Sequence, residues 1–242
     1  NPGKLNWFLM CALGVIWGGS FLFIKISLET VGPWTSAAMR TLIAGIFLSV
    51  IAPAMGQHFR HIQNLKSWVY GILIGAISIA LPLYLLSWGQ QHVSSAFAGV
   101  SMSAVPLLVL PLVYIFSPDE SIGPRRIIGF LLGFLGILVL FDLEFTKIGS
   151  NLTEILGQLA CFTAALCYAV GSVMTRNAPR MPQLIFAAIT LMAAALILTP
   201  LALYYEGVPT EVSLRSLSSL LYLAVFASAL GAVLRIHITK SA

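Results

Sequence analysis

Eight runs of about 20 mainly apolar residues constrain the fold of this chain more than any other feature. A helix of that length crosses the hydrocarbon core of a bilayer and satisfies its own backbone hydrogen bonds there. Because the connections between the runs are short, the sequence predicts one all-α domain whose main partner is the lipid bilayer. We expect the spans at residues 6–27, 34–55, 67–90, 94–116, 124–142, 154–175, 182–204 and 216–238.

The composition excludes an ordinary soluble domain. Hydrophobic residues make up 59% of the 242, and charged residues only 9%, whereas soluble domains carry about 25% charged residues. A soluble chain with so few charges could not cover its own surface. The net charge of +5 does not indicate a nucleic-acid partner, because the basic residues occur singly or in pairs between apolar runs.

The sequence holds no motif for covalent chemistry, a metal or a cofactor. The three cysteines lie inside apolar runs without zinc spacing, and the four histidines lie at or near span ends or in loops. We therefore expect a protein that is not an enzyme and needs no cofactor. All eight acidic residues also lie in loops or near span ends, which argues against a carboxylate proton relay and favours facilitated diffusion or exchange.

The distribution of basic residues predicts the orientation in the membrane. A cytoplasmic N-terminus would place nine Lys and Arg residues inside and three outside, and such an excess sets the topology by the positive-inside rule. The three outer residues are Lys25, Lys147 and Arg215, while Arg40 lies within a span. The nine inner residues are Lys4, Arg60, Lys66, Arg125, Arg126, Arg176, Arg180, Arg235 and Lys240.

Three pairs of spans resemble each other at an offset of about 150 residues. In span 1 an aromatic residue, small residues and a base follow one another from Trp17 to Lys25, and span 6 repeats that order from Tyr168 to Arg176. Spans 2 and 7 match likewise, as do spans 3 and 8. Since five spans separate the copies, the second copy must be inverted. We expect a first repeat at residues 1–142 and a second at 143–242, which lacks partners for spans 4 and 5.

The chain resembles the drug/metabolite transporter superfamily, in its ten-helix EamA-type branch. The matching residues are Trp17-Gly18-Gly19-Ser20 through Lys25, Arg40, and the stretch from Trp88 to Ala96 that leads to Pro106. The resemblance implies ten helices in two inverted five-helix repeats, of which eight are expected here. It also implies a central cavity and transport or export of metabolites such as amino acids.

Aromatic and hydroxyl residues deep in the spans, with two cations, are the candidates for a substrate site. They suit an apolar cavity with sparse polar anchors. A mid-membrane indole such as that of Trp17 needs a hydrogen-bond partner, and Arg40 could grip a carboxylate with two donors. The predicted substrate-binding residues are Trp17, Ser20, Lys25, Arg40, Tyr84, Trp88, Ser101, Tyr168 and Ser172.

Each candidate also has a structural alternative. Tyr84 and Trp88 lie where an interfacial aromatic belt is expected, and a serine within a span commonly bonds its own helix or its neighbour. Arg40 could snorkel outward or pair with a neighbouring helix, and Lys25 is closer still to the interface.

Three functions follow as hypotheses. The first is a metabolite transporter, with export as the expected direction, in the inner membrane of a bacterium. The second is an exchanger of phosphorylated sugars or nucleotide sugars, which would need more cations facing the cavity than Arg40 and Lys25. The third is a membrane scaffold or assembly partner that does not transport. The sequence leaves a homo-oligomer open.

Overall fold

The computed structural model describes residues 4–62, 64–116, 128–136, 139 and 152–241. Within these ranges the chain forms helices and short connections, and seven helices are long and apolar enough to cross a membrane. This confirms the predicted all-α membrane fold. The helices are α1 (Lys4–Ser27), α2 (Pro33–Ala54), α3 (Leu65–His92), α4 (Ser95–Ser101 and Ala104–Phe116), α5 (Leu152–Asn177), α6 (Gln183–Tyr205) and α7 (Leu214–Ser241).

The fifth predicted span, residues 124–142, falls mostly outside the described residues. Residues 128–136 and 139 of it are described, and they are helical. The other seven predicted spans match the helices to within a few residues at either end. The last span, predicted to end at residue 238, continues to Ser241. Proline and glycine mark several of these boundaries. Pro33, for example, occupies the first turn of α2, where its missing N–H costs no hydrogen bond.

Large apolar side chains cover the outward faces of the helices. Val15 on α1, Leu196 on α6 and Leu131 are each more than half exposed. A soluble protein would bury such residues, whereas lipid tails solvate them at no cost. The exposed apolar surface is therefore the surface that faces the bilayer.

The core of the molecule is the contact between α2 and α6, which pack together along their lengths. Both helices face each other with small residues, such as Ala44 and Ala194, which are fully buried. Gly45 of α2 approaches α6 so closely that a Cβ there would lie 2.7 Å from the sulfur of Met192. Small residues let two helices meet with good van der Waals contact, which is how membrane helices associate.

Two long-range helix caps show that α2 and α6 run antiparallel. The carboxylate of Glu206, just after the end of α6, accepts hydrogen bonds from the backbone N–H groups of Trp34 (2.9 Å) and Thr35 (2.8 Å) at the start of α2. At the opposite ends of the helices, Gln57 accepts a bond of 3.0 Å from the N–H of Leu184. Each cap satisfies N–H groups that the first turn of a helix leaves unpaired.

Candidate functional site

An internal cavity of about 370 Å³ lies between the helices, and all seven contribute to its wall. Its lining is mainly apolar, with a few polar groups that converge on the same space, as is typical of sites for small organic ligands. The polar and aromatic lining residues are Trp17, Ser20, Phe21, Arg40, Ser78, Tyr168, Ser172, Ser228 and Arg235.

Arg40 brings a buried positive charge to this cavity from α2. Its side chain is only 5% exposed. The Nε atom donates a hydrogen bond of 3.1 Å to the Oγ of Ser228 on α7. The Nη1 atom, in contrast, is buried without a partner in the part of the chain that the structure describes. Leaving a guanidinium donor unpaired away from water is costly, so Arg40 is a candidate for ligand contact.

Arg235, which the count of basic residues placed on the cytoplasmic side, is a second cation of the cavity. Helix α7 continues beyond it to Ser241, and the Nη1 atom of Arg235 donates a 3.1 Å hydrogen bond to the Oγ of Ser78 on α3. The sequence did contain a signal for this placement. Arg235 lies seven residues after Ser228, and side chains two helical turns apart project from nearly the same face.

The two serines that accept these bonds lie in wide, π-helical segments of their helices. Ser78 belongs to the segment Ala76–Ala80 of α3, and Ser228 to Leu223–Leu230 of α7. A π-helical turn shifts the backbone bonding pattern and is common at functional sites. In α7 the carbonyl of Ala227 accepts a hydrogen bond of 3.0 Å from the indole of Trp17, so the partner expected for that indole is a backbone carbonyl.

Five of the predicted site residues line the cavity: Trp17, Ser20, Arg40, Tyr168 and Ser172. The two serines donate to carbonyls one turn earlier in their own helices, Ser20 to Ile16 and Ser172 to Tyr168, each at 2.8 Å. Their hydroxyl oxygens keep acceptor capacity, as a serine oxygen has two lone pairs. Contact of these residues with a substrate stays a prediction.

The structure places the other four predicted residues outside this lining. Lys25 donates to the backbone carbonyls of Gln90 and Val93. Tyr84 stacks on Trp34 with ring centroids 3.6 Å apart, and Trp88 packs edge-on against His92 at 4.8 Å. Ser101 is buried and donates to the carbonyl of Phe97 at 2.9 Å. Each of these side chains already has a packing or hydrogen-bonding partner within the helical bundle.

The lining has a positive electrostatic balance. It includes Arg40 and Arg235 but no acidic side chain among the described residues. The same part of the chain has no group of three His, Cys, Asp or Glu residues that could hold a metal ion. An ion pair between Arg215 and Glu29, at 3.5 Å, is exposed and lies away from the cavity. The chemistry that the cavity offers is therefore binding through cations, hydroxyls and apolar surface.

An apolar bundle around a partly polar cavity defines a polytopic membrane protein with an internal cavity. The model of the EamA-like transporter family matches residues 5–142 and 155–240. These segments cover most of the chain, which therefore belongs to the EamA-like transporter family and is an integral membrane protein.

Several proteins resemble this chain over most of its length. A WAT1-related chloroplastic protein of Arabidopsis thaliana is 27% identical over 93% of this chain and 55% of its own length. The uncharacterized inner membrane transporter YedA of Escherichia coli is 28% identical, over 90% and 68%. One protein of known crystal structure is 21% identical to this chain. The two structures match over 98% of this chain and 80% of the other, with a TM-score of 0.72. This chain thus spans about half of the plant protein.

Proposed function

We propose that this protein is a secondary transporter that moves small amphipathic metabolites, amino acids among them, through the cavity by alternating access. The single observation behind this proposal is the cavity, to which all seven described spanning helices contribute, with buried polar anchors on an otherwise apolar wall. A static receptor or scaffold does not need charged groups inside the membrane domain, where they are costly and normally functional. Membership of a transporter family supports the same class.

We infer that the two halves are inverted copies that can rock about the cavity. Three observations support this idea. The repeat-related helices α2 and α6 are antiparallel and cap each other reciprocally. The π-helical segment Ala76–Ala80 corresponds, at an offset of 150 residues, to the end of Leu223–Leu230. The family model also matches in two segments. Mirrored halves around a central site are common in alternating-access carriers.

We further propose that the N-terminus is cytoplasmic, in the inner membrane of a bacterium, and that net transport is outward. The excess of basic residues on one side supports the orientation. Without Arg235, which lines the cavity, the excess remains, with eight basic residues on the cytoplasmic side against three outside.

The second candidate function, exchange of phosphorylated sugars or nucleotide sugars, gains one observation from the structure. Such substrates need paired positive charge, and the cavity contains Arg235 in addition to Arg40. Lys25 does not add to this charge, since it lies outside the lining and donates to backbone carbonyls. Sugar hydroxyls would find few partners on the apolar part of the wall, which favours the first function.

The test is counterflow in proteoliposomes made with the purified chain. Vesicles preloaded with unlabelled amino acids should accumulate external labelled amino acids, and Trp17→Ala or Arg40→Ala should abolish the accumulation. The matched controls are Trp88→Ala and Arg215→Ala, because these residues have the same chemistry outside the cavity. Counterflow of sugar phosphates instead would support the second function, and the absence of any counterflow would support the scaffold hypothesis.

A further inference from the structure

The charge of the cavity points to the class of substrate. The side chain of Arg40 is only 5% exposed, and its Nη1 donor has no partner within the described residues. Arg235 lines the same cavity and is half-buried. No carboxylate faces them in the described part of the lining, and two such cations are costly to hold in a membrane domain unless an anion neutralises them.

Serine contacts fix the two guanidinium groups and leave most of their donors available. Ser228 accepts only from the Nε atom of Arg40, so the outer edge with Nη1 stays unoccupied. Ser78 accepts from a single Nη1 donor of Arg235. A guanidinium has five N–H donors in a planar fork, and a carboxylate matches two of them at once. Preorganisation by the serines lowers the entropy lost when a ligand binds.

Tyr168 connects the two charges. Its side chain lines the same cavity as Arg40 and Arg235, so the two cations act on one ligand space rather than on separate pockets. The phenolic O–H is a further donor or acceptor for a ligand oxygen.

The remaining lining residues indicate which kind of ligand body the cavity accommodates. Phe21, Ile24, Leu83, Leu86 and Met102 give the cavity an apolar and partly aromatic surface. Such a surface suits a hydrocarbon or aromatic body and offers little to a polyhydroxylated one. It also offers no acidic partner, in the described part of the lining, for the ammonium group of a zwitterion.

We propose that the cavity selects organic anions with an apolar body, whose carboxylate binds the free donors of Arg40 while Arg235 supplies the second positive charge. The inference rests on the proposed transport function and narrows its substrates from amphipathic metabolites in general to carboxylates with a net negative charge. The ammonium group of a neutral amino acid makes it a weaker ligand than the matching carboxylate.

The test measures binding without transport, by titration calorimetry of the purified chain in lipid nanodiscs. Four probes share a phenyl body: 3-phenylpropanoate, its amide, phenylalanine and phenyl phosphate. We expect 3-phenylpropanoate to bind at least roughly ten-fold more tightly than its amide, which lacks the charge-assisted contact. Phenylalanine should also bind more weakly, because its ammonium group finds no acidic partner in the described part of the lining. Equal affinity for the amide or for phenylalanine would overturn the proposal. Tighter binding of phenyl phosphate, or displacement by an equal concentration of chloride, would overturn the carboxylate assignment.

Substitutions of the two arginines test whether 3-phenylpropanoate binds in this cavity. Arg40→Gln should weaken 3-phenylpropanoate binding by roughly ten-fold or more, and Arg235→Gln by a smaller factor, whereas Arg215→Gln removes an exposed charge and should change nothing. Arg40→Lys keeps the charge without the fork and should restore only part of the affinity. Should Arg40→Gln fail to fold, Arg40→Lys and Arg235→Gln decide the matter, and unchanged affinity in both would refute the proposal.

Counterflow of labelled 3-phenylpropanoate tests the transport function separately from the anion site. Selective carboxylate binding without flux would contradict the transport function alone. Flux of phenylalanine equal to that of 3-phenylpropanoate, with no effect of the arginine variants, would preserve transport and refute the anion site.

Discussion

Helices α3 and α7 each contain a π-helical segment next to the cavity, but the two segments have different causes. In α3, Pro82 follows the segment Ala76–Ala80 closely and has no N–H to bond the carbonyl of Ser78, so a regular α-helical bond is impossible there. In α7 the sequence from residue 214 to 241 has no proline. There the carbonyl of Ala227 is bonded from outside the helix, by the indole of Trp17.

This difference separates local from tertiary control of the backbone. A proline disrupts its own helix in any surroundings, whereas a carbonyl held by a side chain 210 residues away depends on the assembled bundle. We therefore expect the wide turn of α3 to stay unchanged when neighbouring helices are perturbed and the π-helical turns of α7 to open more readily. The irregular backbone of both helices presents a serine to an arginine of the cavity.

The largest effect is expected where a neighbouring helix approaches the α3 segment. A Cβ at Gly171 of α5 would overlap the side chain of Ser78, whereas a Cβ at Gly231 would lie 2.6 Å from the Nε1 of Trp17. Gly171→Ala should lower the free energy of unfolding by about 3 kcal/mol and Gly231→Ala by less, since overpacking forces backbone shifts. Thermal and chemical unfolding in detergent would measure both.

Gly14→Ala is the matched control, because nothing lies within 4 Å of a Cβ at that position. It should be neutral or slightly stabilising, since alanine is the better helix former. A loss of stability as large as that of Gly171→Ala would show that the effect is not specific to the contact with Ser78.

An intermediate effect is expected from Trp17→Phe, which keeps an aromatic ring and removes the N–H. The carbonyl of Ala227 would lose its external donor, at a cost of about 1–2 kcal/mol. Hydrogen exchange of the intact protein should become faster across Leu223–Leu230 and remain unchanged across Ala76–Ala80. Equal acceleration in the two segments would contradict the distinction between them.

The smallest effect on stability is expected from Pro82→Ala. The new N–H can bond the carbonyl of Ser78, so α3 should become more regular and the free energy of unfolding should change by less than about 1 kcal/mol. Hydrogen exchange should slow in α3 alone. Because a more regular helix rotates Ser78 relative to Arg235, binding of 3-phenylpropanoate should weaken; unchanged exchange in α3 would show that Pro82 is not the cause of the wide turn.

The helices were predictable because each is determined by its own residues. The seventh predicted span, 182–204, became Gln183–Tyr205, since an apolar run in lipid must close its backbone bonds within itself. The wide turn of α3 was foreseeable from Pro82, because a proline removes a backbone hydrogen bond of its own helix. Nothing local in α7 predicts its π-helical turns, and the last residues of that helix extend beyond the apolar run that marked the span.

The candidate site was only partly predictable. Trp17, Arg40 and Tyr168 were identified because large polar or aromatic groups deep in a span need partners. Arg235 was missed, because a base near the end of an apolar run has the same sequence pattern as a topology signal. Lys25 was assigned to the site although it reaches backbone carbonyls of α3 and the residue that follows it, a contact that no spacing along the chain predicts.

The amino-acid sequence alone predicted that this protein lies in a membrane, where seven of its helices lie to within a few residues, and which family it resembles. Hydrophobicity and backbone hydrogen bonding act over one or two turns, so those properties can be read from neighbouring residues. Which polar groups meet depends instead on how the helices pack. Arg235 reaches Ser78 across 157 residues and Arg40 reaches Ser228 across 188, because helix packing, not distance along the chain, sets the partners of a buried charge.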